Sequence, residues 1–256
     1  MKIRSIKTKR IIPKKDKDIF LILDKYLPKL KERSIVAVTS KIIAICQERI
    51  ADPEKVNKDD LAEEEADFYL PRNLNKYNFM LTIKNNTMIA SAGIDESNAA
   101  DYLILWPEDP QESADQIRTY IKKKFKLNNI GVIITDSKLT PLRWGVTGVS
   151  IAHSGFSALN DYRKQPDIFG RKLKITQVNV AEALAVSAVL LMGEGKEQTP
   201  IAIIEDIPFV KFQKRNPTKK ELKDLQIDLK EDVYGSILTA VKWKKGKGFK
   251  KHEKIK

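Results

Sequence analysis

Five oxygen-bearing side chains occupy three widely separated segments of this 256-residue chain. They are Asp95 with Asn98, Asp136 with Ser137, and Glu194. A few hard oxygen ligands suit Mg²⁺ or Mn²⁺ carried in with a nucleotide, because these ions keep several waters and take their other ligands from phosphate. The alternative is that these residues are ordinary solvated loop side chains. The residue types therefore indicate metal-assisted chemistry on an anionic substrate only if the three segments meet.

Three arginines follow Asp136 within one stretch rich in glycine: Arg143, Arg163 and Arg171. Their planar guanidinium groups could hold a phosphate or carboxylate of a substrate. Each could equally form a salt bridge with Asp161 or Asp167 in the same stretch. We predict that one or more of the three steadies an anionic substrate.

Two predicted strands should position some of the candidate ligands. Residues 132–134 are apolar and predict a short strand, with Thr135, Asp136 and Ser137 following at its carboxyl end. Residues 35–38 predict another strand, and the hydroxyl and amine of Ser40 and Lys41 after it could bind phosphate or cap the next helix.

A third ligand-bearing segment follows a long apolar helix predicted over 178–192. The helix ends at Gly193, Glu194 and Gly195. An acidic side chain between glycines can turn toward a ligand, although glycine is also an ordinary helix terminator. Both interpretations stay open from the sequence.

The remaining elements follow from local patterns and are irregularly ordered. The patterns predict an edge strand in 3–12, a helix over 17–32 that kinks or stops at Pro28, a helix in 59–67, a hairpin over 78–91, a strand at 102–106, a helix over 113–125, a strand at 201–204 and short helices over 221–229 and 232–241. About seven strands and six helices without regular alternation predict an α+β fold with mixed β-sheets and packed helices.

The net charge of +13 is concentrated at the two ends of the chain. Residues 1–17 and 241–256 each carry +7, so the 223 residues between them are close to neutral. Lysine-rich ends without interleaved aromatic residues are more typical of solvated tails than of a nucleic-acid surface. We expect one catalytic unit over 1–240 and a mobile basic tail over 241–256, and we expect no nucleic-acid partner.

Several classes of site are disfavoured. Cys46 is the only cysteine, so we expect a small core residue rather than a disulfide or a cysteine metal cluster. Of the two histidines, His153 either touches substrate or is a hydrogen-bonded residue of the fold. No apolar run approaches the ~20 residues of a membrane span, and a cytoplasmic enzyme is expected.

Longer motifs, taken in order, resemble one family. These are AGIDESN at 92–98, WPEDPQESADQIR at 106–118, IITDS followed by P.R.G within 133–145, NDYRKQPDIFGRKL at 160–173 and LMGEG at 191–195. Their order resembles the coenzyme F-420-0:gamma-glutamyl ligase family from about residue 3 to residue 212. The likeness is greatest to a bacterial branch described as folate-metabolism gamma-glutamate ligases.

The resemblance implies an F-420 ligase-like fold, an intertwined homodimer and a definite chemistry. Such a ligase joins L-glutamate to a carboxylate acceptor, which is F-420-0-like or pterin- and folate-like, through an acyl phosphate. GTP or ATP is the co-substrate, with two divalent cation sites for Mg²⁺ or Mn²⁺. By resemblance, Asp95 and Asp136 would bind one ion and Ser137 and Glu194 the other.

Nucleotide contacts are also implied by the resemblance. They would come from Ser40, Lys41, Asn98, Met192, Gly193, Glu194, Gly195 and Thr199. The chain departs from the usual family pattern where Ser137 replaces threonine, Thr140 replaces arginine and Leu142 replaces tryptophan. The first change keeps the hydroxyl, while the other two are expected to alter acceptor recognition.

Two functions of another class remain as alternatives. A non-catalytic protein could hold nucleic acid with its basic termini, and its affinity would fall steeply with salt and survive chelation of metal. A regulator could bind nucleotide without turning it over. Removal of residues 242–256 should abolish binding by the former and leave a ligase active.

Overall fold

The computed structural model describes residues 1–248 and shows an α+β fold with mixed sheets. The strands are β1 Lys2–Ile6, β2 Ser34–Thr39, β3 Ile50–Ala51, β4 Phe68–Leu70, β5 Leu81–Lys84, β6 Thr87–Ala90, β7 Leu103–Ile104, β8 Ile130–Leu139, β9 Val146–Ser154, β10 Leu159–Asp161, β11 Gln177–Asn179, β12 Ile201–Glu205 and β13 Lys244–Lys245. The α-helices are α1 Ile19–Tyr26, α2 Ser40–Cys46, α3 Lys58–Glu65, α4 Pro110–Phe125, α5 Val180–Met192, α6 Lys219–Lys223 and α7 Gly235–Leu238.

A five-stranded sheet in the order β1-β12-β2-β8-β9 forms the centre of the fold. The β2 and β8 strands run parallel, whereas the other neighbours in this sheet are antiparallel. A second sheet has the order β13-β4-β5-β6. These pairings confirm the predicted α+β class with mixed sheets.

Helices cover both faces of the central sheet. Val36 and Val38 point to one face, where they join a core cluster with residues of α1, α2 and α4. Ile35 and Ala37 point to the other face, against α5. Successive strand residues alternate in this way, so a strand buried on both faces reads as a continuous apolar run.

Helix boundaries follow ordinary capping chemistry. The α4 helix begins after Asp109, whose carboxylate accepts a hydrogen bond of 2.8 Å from the backbone N–H of Glu112, and Pro110 occupies its first turn. The α1 helix ends at Tyr26, before Pro28, which confirms the predicted stop there.

The β8 strand differs most from expectation. The sequence predicts a strand over 132–134 with polar residues after it, but β8 runs from Ile130 to Leu139 and includes them. The extra length pairs with β9, and a bulge between Ile134 and Thr135 shifts the register by one residue. Thr135, Asp136 and Ser137 are therefore held in a sheet rather than in a loop.

Several other elements are shorter than the sequence predicts. The first strand ends at Ile6, and the predicted strand at 102–106 is reduced to Leu103–Ile104. The two helices near the carboxyl end are the short α6 and α7. Short elements explain why residues 1–248 contain more strands than the sequence predicts.

The expected tail begins within hydrogen-bonded structure. Lys244 and Lys245 form β13 and pair with Tyr69 and Phe68, and the N–H of Gly246 donates to the carbonyl of Asp67 at 2.9 Å. Packing against the body thus continues beyond residue 240. The part of the predicted mobile tail at 249–256 lies outside the described residues, so its mobility stays a prediction. In residues 1–248 we find no helix with the length and apolar composition needed to cross a bilayer.

Candidate functional site

A cavity of about 440 Å³ opens where five segments of the fold meet. The segments are residues 8–12 after β1, the start of α2, the turn after β6, the middle of β8 and the end of α5 with the loop that leads to β12. We call this space the central cavity. Its lining includes all the residues predicted to bind metal or nucleotide: Ser40, Lys41, Asp95, Asn98, Asp136, Ser137, Met192, Gly193, Glu194, Gly195 and Thr199.

An ion pair joins two walls of the central cavity. Nζ of Lys41 lies 2.8 Å from Oδ2 of Asp95 and donates to the backbone carbonyl of Ser97 at 2.8 Å. Burial alone would raise the pKa of Asp95, but the Lys41 ammonium and hydrogen bonds from Lys41 and Ser97 outweigh it and lower that pKa. Asp95 is therefore ionised at neutral pH.

Two further hydrogen bonds tie the loop after α5 to the opposite walls. Nδ2 of Asn98 donates to the carbonyl of Gly195 at 3.0 Å. Oγ of Ser137 donates to Oε2 of Glu194 at 3.4 Å. Burial raises the pKa of Glu194, only partly offset by Lys41 and Ser137. The residues predicted to hold the second ion are thus direct neighbours.

Asp136 lies on β8 with N–H donors on both carboxylate oxygens. The backbone N–H of Ser137 donates to Oδ1 at 2.8 Å, and the indole N–H of Trp106 donates to Oδ2. Loss of solvent around the carboxylate raises its pKa to about 6, and the nearby charge of Asp95 adds to this rise. A divalent cation would stabilise the ionised form of this carboxylate.

The donor set fits a cation that also binds phosphate. Within residues 1–248, no three His, Cys, Asp or Glu side chains lie close enough together to share one ion. Mg²⁺ typically needs only one or two carboxylates, with waters and substrate phosphates completing its shell. The carboxylate and hydroxyl oxygens of the cavity fit that mode of binding and do not form an all-protein cage.

The three predicted arginines lie elsewhere. None of Arg143, Arg163 or Arg171 lines the central cavity. Arg163 forms a salt bridge of 2.6 Å with Asp161, the structural alternative that the sequence left open. The backbone N–H of Arg171 donates to Asp167 at 2.9 Å, within an exposed excursion between β10 and β11. The structure thus does not bring these guanidinium groups to the predicted metal ligands.

Other cations take the position expected of the arginines. Lys9, Arg10 and Lys196 line the central cavity together with Lys41. Lys9 and Arg10 belong to the basic amino-terminal run that resembled a solvated tail, so only their place after a paired edge strand could have marked them. Trp106 was also missed as a site residue, because its apolar neighbours indicate a core strand.

His153 and Cys46 belong to the core. His153 is 3% exposed and lies against the ring of Phe156, with ring centroids 5.4 Å apart. Burial lowers its pKa to about 4. The Cys46 thiol is buried, and desolvation raises its pKa to about 12, which confirms its prediction as a small core residue. Neither residue lines the central cavity.

Comparison with known proteins gives a consistent result. The model of the F420-0:Gamma-glutamyl ligase family matches residues 5–206. The coenzyme F420:L-glutamate ligase of Methanocaldococcus jannaschii is 33% identical over 83% of this chain and 86% of its own length. The enzymes of the same name from Methanococcus maripaludis and Archaeoglobus fulgidus are 35% and 31% identical, over 77% and 70% of this chain and 78% of each relative. The chain belongs to the F420-0:gamma-glutamyl ligase family.

Proposed function

We propose that this family member is a nucleoside-triphosphate- and divalent-metal-dependent ligase that joins L-glutamate to a carboxylate acceptor. One observation carries the proposal: eleven residues predicted for metal and nucleotide, drawn from four distant segments, line one cavity. The names of the relatives support the ligase chemistry. The mixed acidic and basic lining supports a metal-bound polyphosphate as co-substrate.

The reaction requires activation of a poor acyl donor. The terminal phosphoryl group of the triphosphate is transferred to the acceptor carboxylate, and the nucleoside diphosphate leaves. The amino group of glutamate then attacks the acyl phosphate, which forms the amide bond and releases phosphate. Phosphoryl transfer depends mainly on positioning and on neutralisation of charge.

The side chains of the cavity supply that positioning. Asp95 and Asp136 would hold one cation, and Ser137 and Glu194 a second. The cations would neutralise charge on the triphosphate and align its terminal phosphoryl group. Lys9, Arg10, Lys41 and Lys196 balance phosphate charge from the cavity wall. Ser40, Asn98 and the loop from Met192 to Thr199 enclose the nucleotide.

The acceptor is proposed to be F-420-0-like, with a pterin- or folate-like carboxylate as the second candidate. The relatives' names make coenzyme F-420 compounds the first to test. Thr140 and Leu142, which depart from the family pattern, are exposed at the tip of the β8–β9 hairpin and do not line the central cavity. These two departures from the family pattern therefore do not alter the residues of the central cavity that are proposed to bind metal and nucleotide.

We also propose a homodimer. Two projecting segments carry large apolar side chains in solvent: Leu142 and Trp144 on the β8–β9 hairpin, and Ile168, Phe169 and Ile175 between β10 and β11. Leu142 and Ile168 are 98% and 92% exposed in the single chain. Exposed apolar segments of this extent mark an interaction surface, and a second copy covers them.

The direct test is glutamate-dependent turnover. Purified full-length protein is incubated with GTP or ATP, Mg²⁺ or Mn²⁺, L-glutamate and a panel of F-420-0, folate and pterin carboxylates. We expect release of nucleoside diphosphate that requires both glutamate and one acceptor, with a product heavier by one glutamyl group. Nucleotide binding without such turnover in any acceptor reaction would contradict the proposal.

A further inference from the structure

Trp106 lies directly behind the carboxylate that is proposed to bind metal. It follows β7, is 1% exposed, and its indole N–H donates to Oδ2 of Asp136. Oδ1 of the same carboxylate accepts from the backbone N–H of Ser137 at 2.8 Å. The two donors bind different oxygens, so together they fix the plane of the carboxylate.

The indole ring is closely packed on the side that carries its N–H group. The backbone of Gly93 lies against it, and a Cβ atom at residue 93 would be 2.2 Å from Nε1 and 2.6 Å from Cε2 of Trp106. Gly93 also has φ of +75°, a conformation that favours glycine. Close backbone approach thus closes the side of the ring beside its N–H group.

A buried ion cluster supports the tryptophan from behind. Nζ of Lys84 lies 5.3 Å from the indole ring centroid, and Nε of Arg49 donates to the carbonyl of Trp106 at 3.2 Å. Both cations also bind Oε2 of Glu65, each at 2.7 Å. Trp106 is therefore held through its ring face and its backbone by groups that are themselves fixed.

From these contacts we propose that Trp106 is a positioning residue that orients the Asp136 carboxylate toward the cavity for a divalent cation. The inference rests on the proposed function, because it assigns Asp136 to a metal. Hydrogen bonds behind a metal ligand fix its orientation, and their loss typically costs about 10–100-fold in metal affinity or activity. A tryptophan that only filled the core would act through its volume and not through its N–H group.

The Trp106→Phe variant separates these roles, since phenylalanine keeps an aromatic ring and removes the donor. We expect its Mn²⁺ dissociation constant, measured by electron paramagnetic resonance in the full-length protein, to rise about 10–100-fold. Trp243→Phe is the matched control, because that indole donates at 2.7 Å to the carbonyl of Leu238, away from the cavity lining. Its Mn²⁺ affinity should equal that of the wild type.

A double-variant cycle tests whether Trp106 acts through Asp136. In an Asp136→Asn background, the further change Trp106→Phe should leave the already weakened Mn²⁺ affinity unaltered, since the carboxylate to be positioned is gone. Equal and additive losses in both backgrounds would overturn the proposal. So would an unchanged Mn²⁺ affinity of Trp106→Phe in the wild-type background.

A measurement on the unaltered protein removes dependence on the folding of any variant. The three indole ¹H–¹⁵N resonances are assigned by the loss of one peak each in Trp106→Phe, Trp144→Phe and Trp243→Phe, or by elimination when one variant does not fold. Substoichiometric Mn²⁺ should broaden the Trp106 indole peak before the other two. Broadening of either other peak first, or none at Trp106, would overturn the proposal. Absence of glutamate-dependent turnover in the wild-type protein would instead refute the proposed function. The Mn²⁺ measurements would still test the positioning role of Trp106 in that case.

Discussion

Nζ of Lys41 and Oδ2 of Asp95 lie 2.8 Å apart and join the start of α2 to the turn after β6. The Lys41 side chain is 25% exposed, so its ammonium is only partly solvated. Both side chains could also bind a metal-bound triphosphate, since the Lys41 ammonium suits a phosphate and the Asp95 carboxylate suits a cation. The ion pair keeps both charges compensated in the absence of ligand and leaves them at the cavity wall.

Replacement of Lys41 by methionine should weaken binding of the nucleoside triphosphate. A charge-assisted hydrogen bond contributes about 1.5–3 kcal/mol, so the dissociation constant of a non-hydrolysable triphosphate should rise roughly 10–100-fold, as measured by calorimetry. Lys17→Met is the matched control, because Lys17 pairs with Glu48 at 2.7 Å outside the cavity lining. Equal affinities of Lys41→Met and the wild type would contradict a phosphate contact.

Replacement of Asp136 by asparagine should abolish most turnover while the protein remains folded. Asparagine keeps the shape, but it lacks the charge that a divalent cation needs, and its NH₂ group cannot accept one of the two N–H hydrogen bonds that the carboxylate oxygens accept. We expect glutamate-dependent diphosphate release to fall about 100-fold or more. The control Asp206→Asn changes an exposed partner of Lys2 and should turn over normally. Full activity of Asp136→Asn would refute its assignment as a metal ligand.

Part of the cavity was predicted from positions at the ends of buried apolar segments, and the rest of the predicted lining followed from the family resemblance. Ser40 and Lys41 begin the helix that follows β2, and Glu194 follows the last turn of α5. Such junctions occur where a buried element reaches the surface, so residue type and local pattern mark them as candidates, and the family resemblance then favours the ligand-binding interpretation over helix capping or termination. Their convergence in one cavity is a tertiary property that local patterns alone do not determine.

The three arginines stand close to the metal ligands in the sequence but do not line the central cavity, so their contact with substrate stays a prediction. Arg143 follows Ser137 by only six positions, but β8 continues to Leu139 as an extended hairpin arm. Extended backbone advances about 3.3 Å per residue, so this arm moves Arg143 well away from the cavity. Lys9 and Arg10 line the cavity but were not predicted as site residues. A lysine-rich run near a terminus has the same composition whether it is solvated or lines a site.

Charges placed on the projecting apolar segments should dissociate the proposed homodimer. Leu142→Asp or Phe169→Asp would place an unpaired carboxylate in the dimer interface. Burial of that charge costs more free energy than exposure of the remaining apolar side chains in the monomer. We expect light scattering to give one chain mass for these variants and two for the wild type. Val233→Asp, which changes a residue that is 87% exposed on the approach to α7, should remain dimeric. A monomeric wild type would contradict the proposal.

His153 should make the protein less stable as the pH falls from about 6.5 to 4. Burial lowers the pKa of this histidine from 6.5 to about 4 in the folded state, so the unfolded chain binds its proton first. Protonation of the unfolded chain therefore lowers the free energy of unfolding as the pH falls below 6.5, by up to about 3 kcal/mol at pH 4. His153→Gln, which cannot titrate in this range, should lose less stability over the same interval in urea unfolding experiments. Parallel pH profiles of the variant and the wild type would show that His153 is not the group responsible.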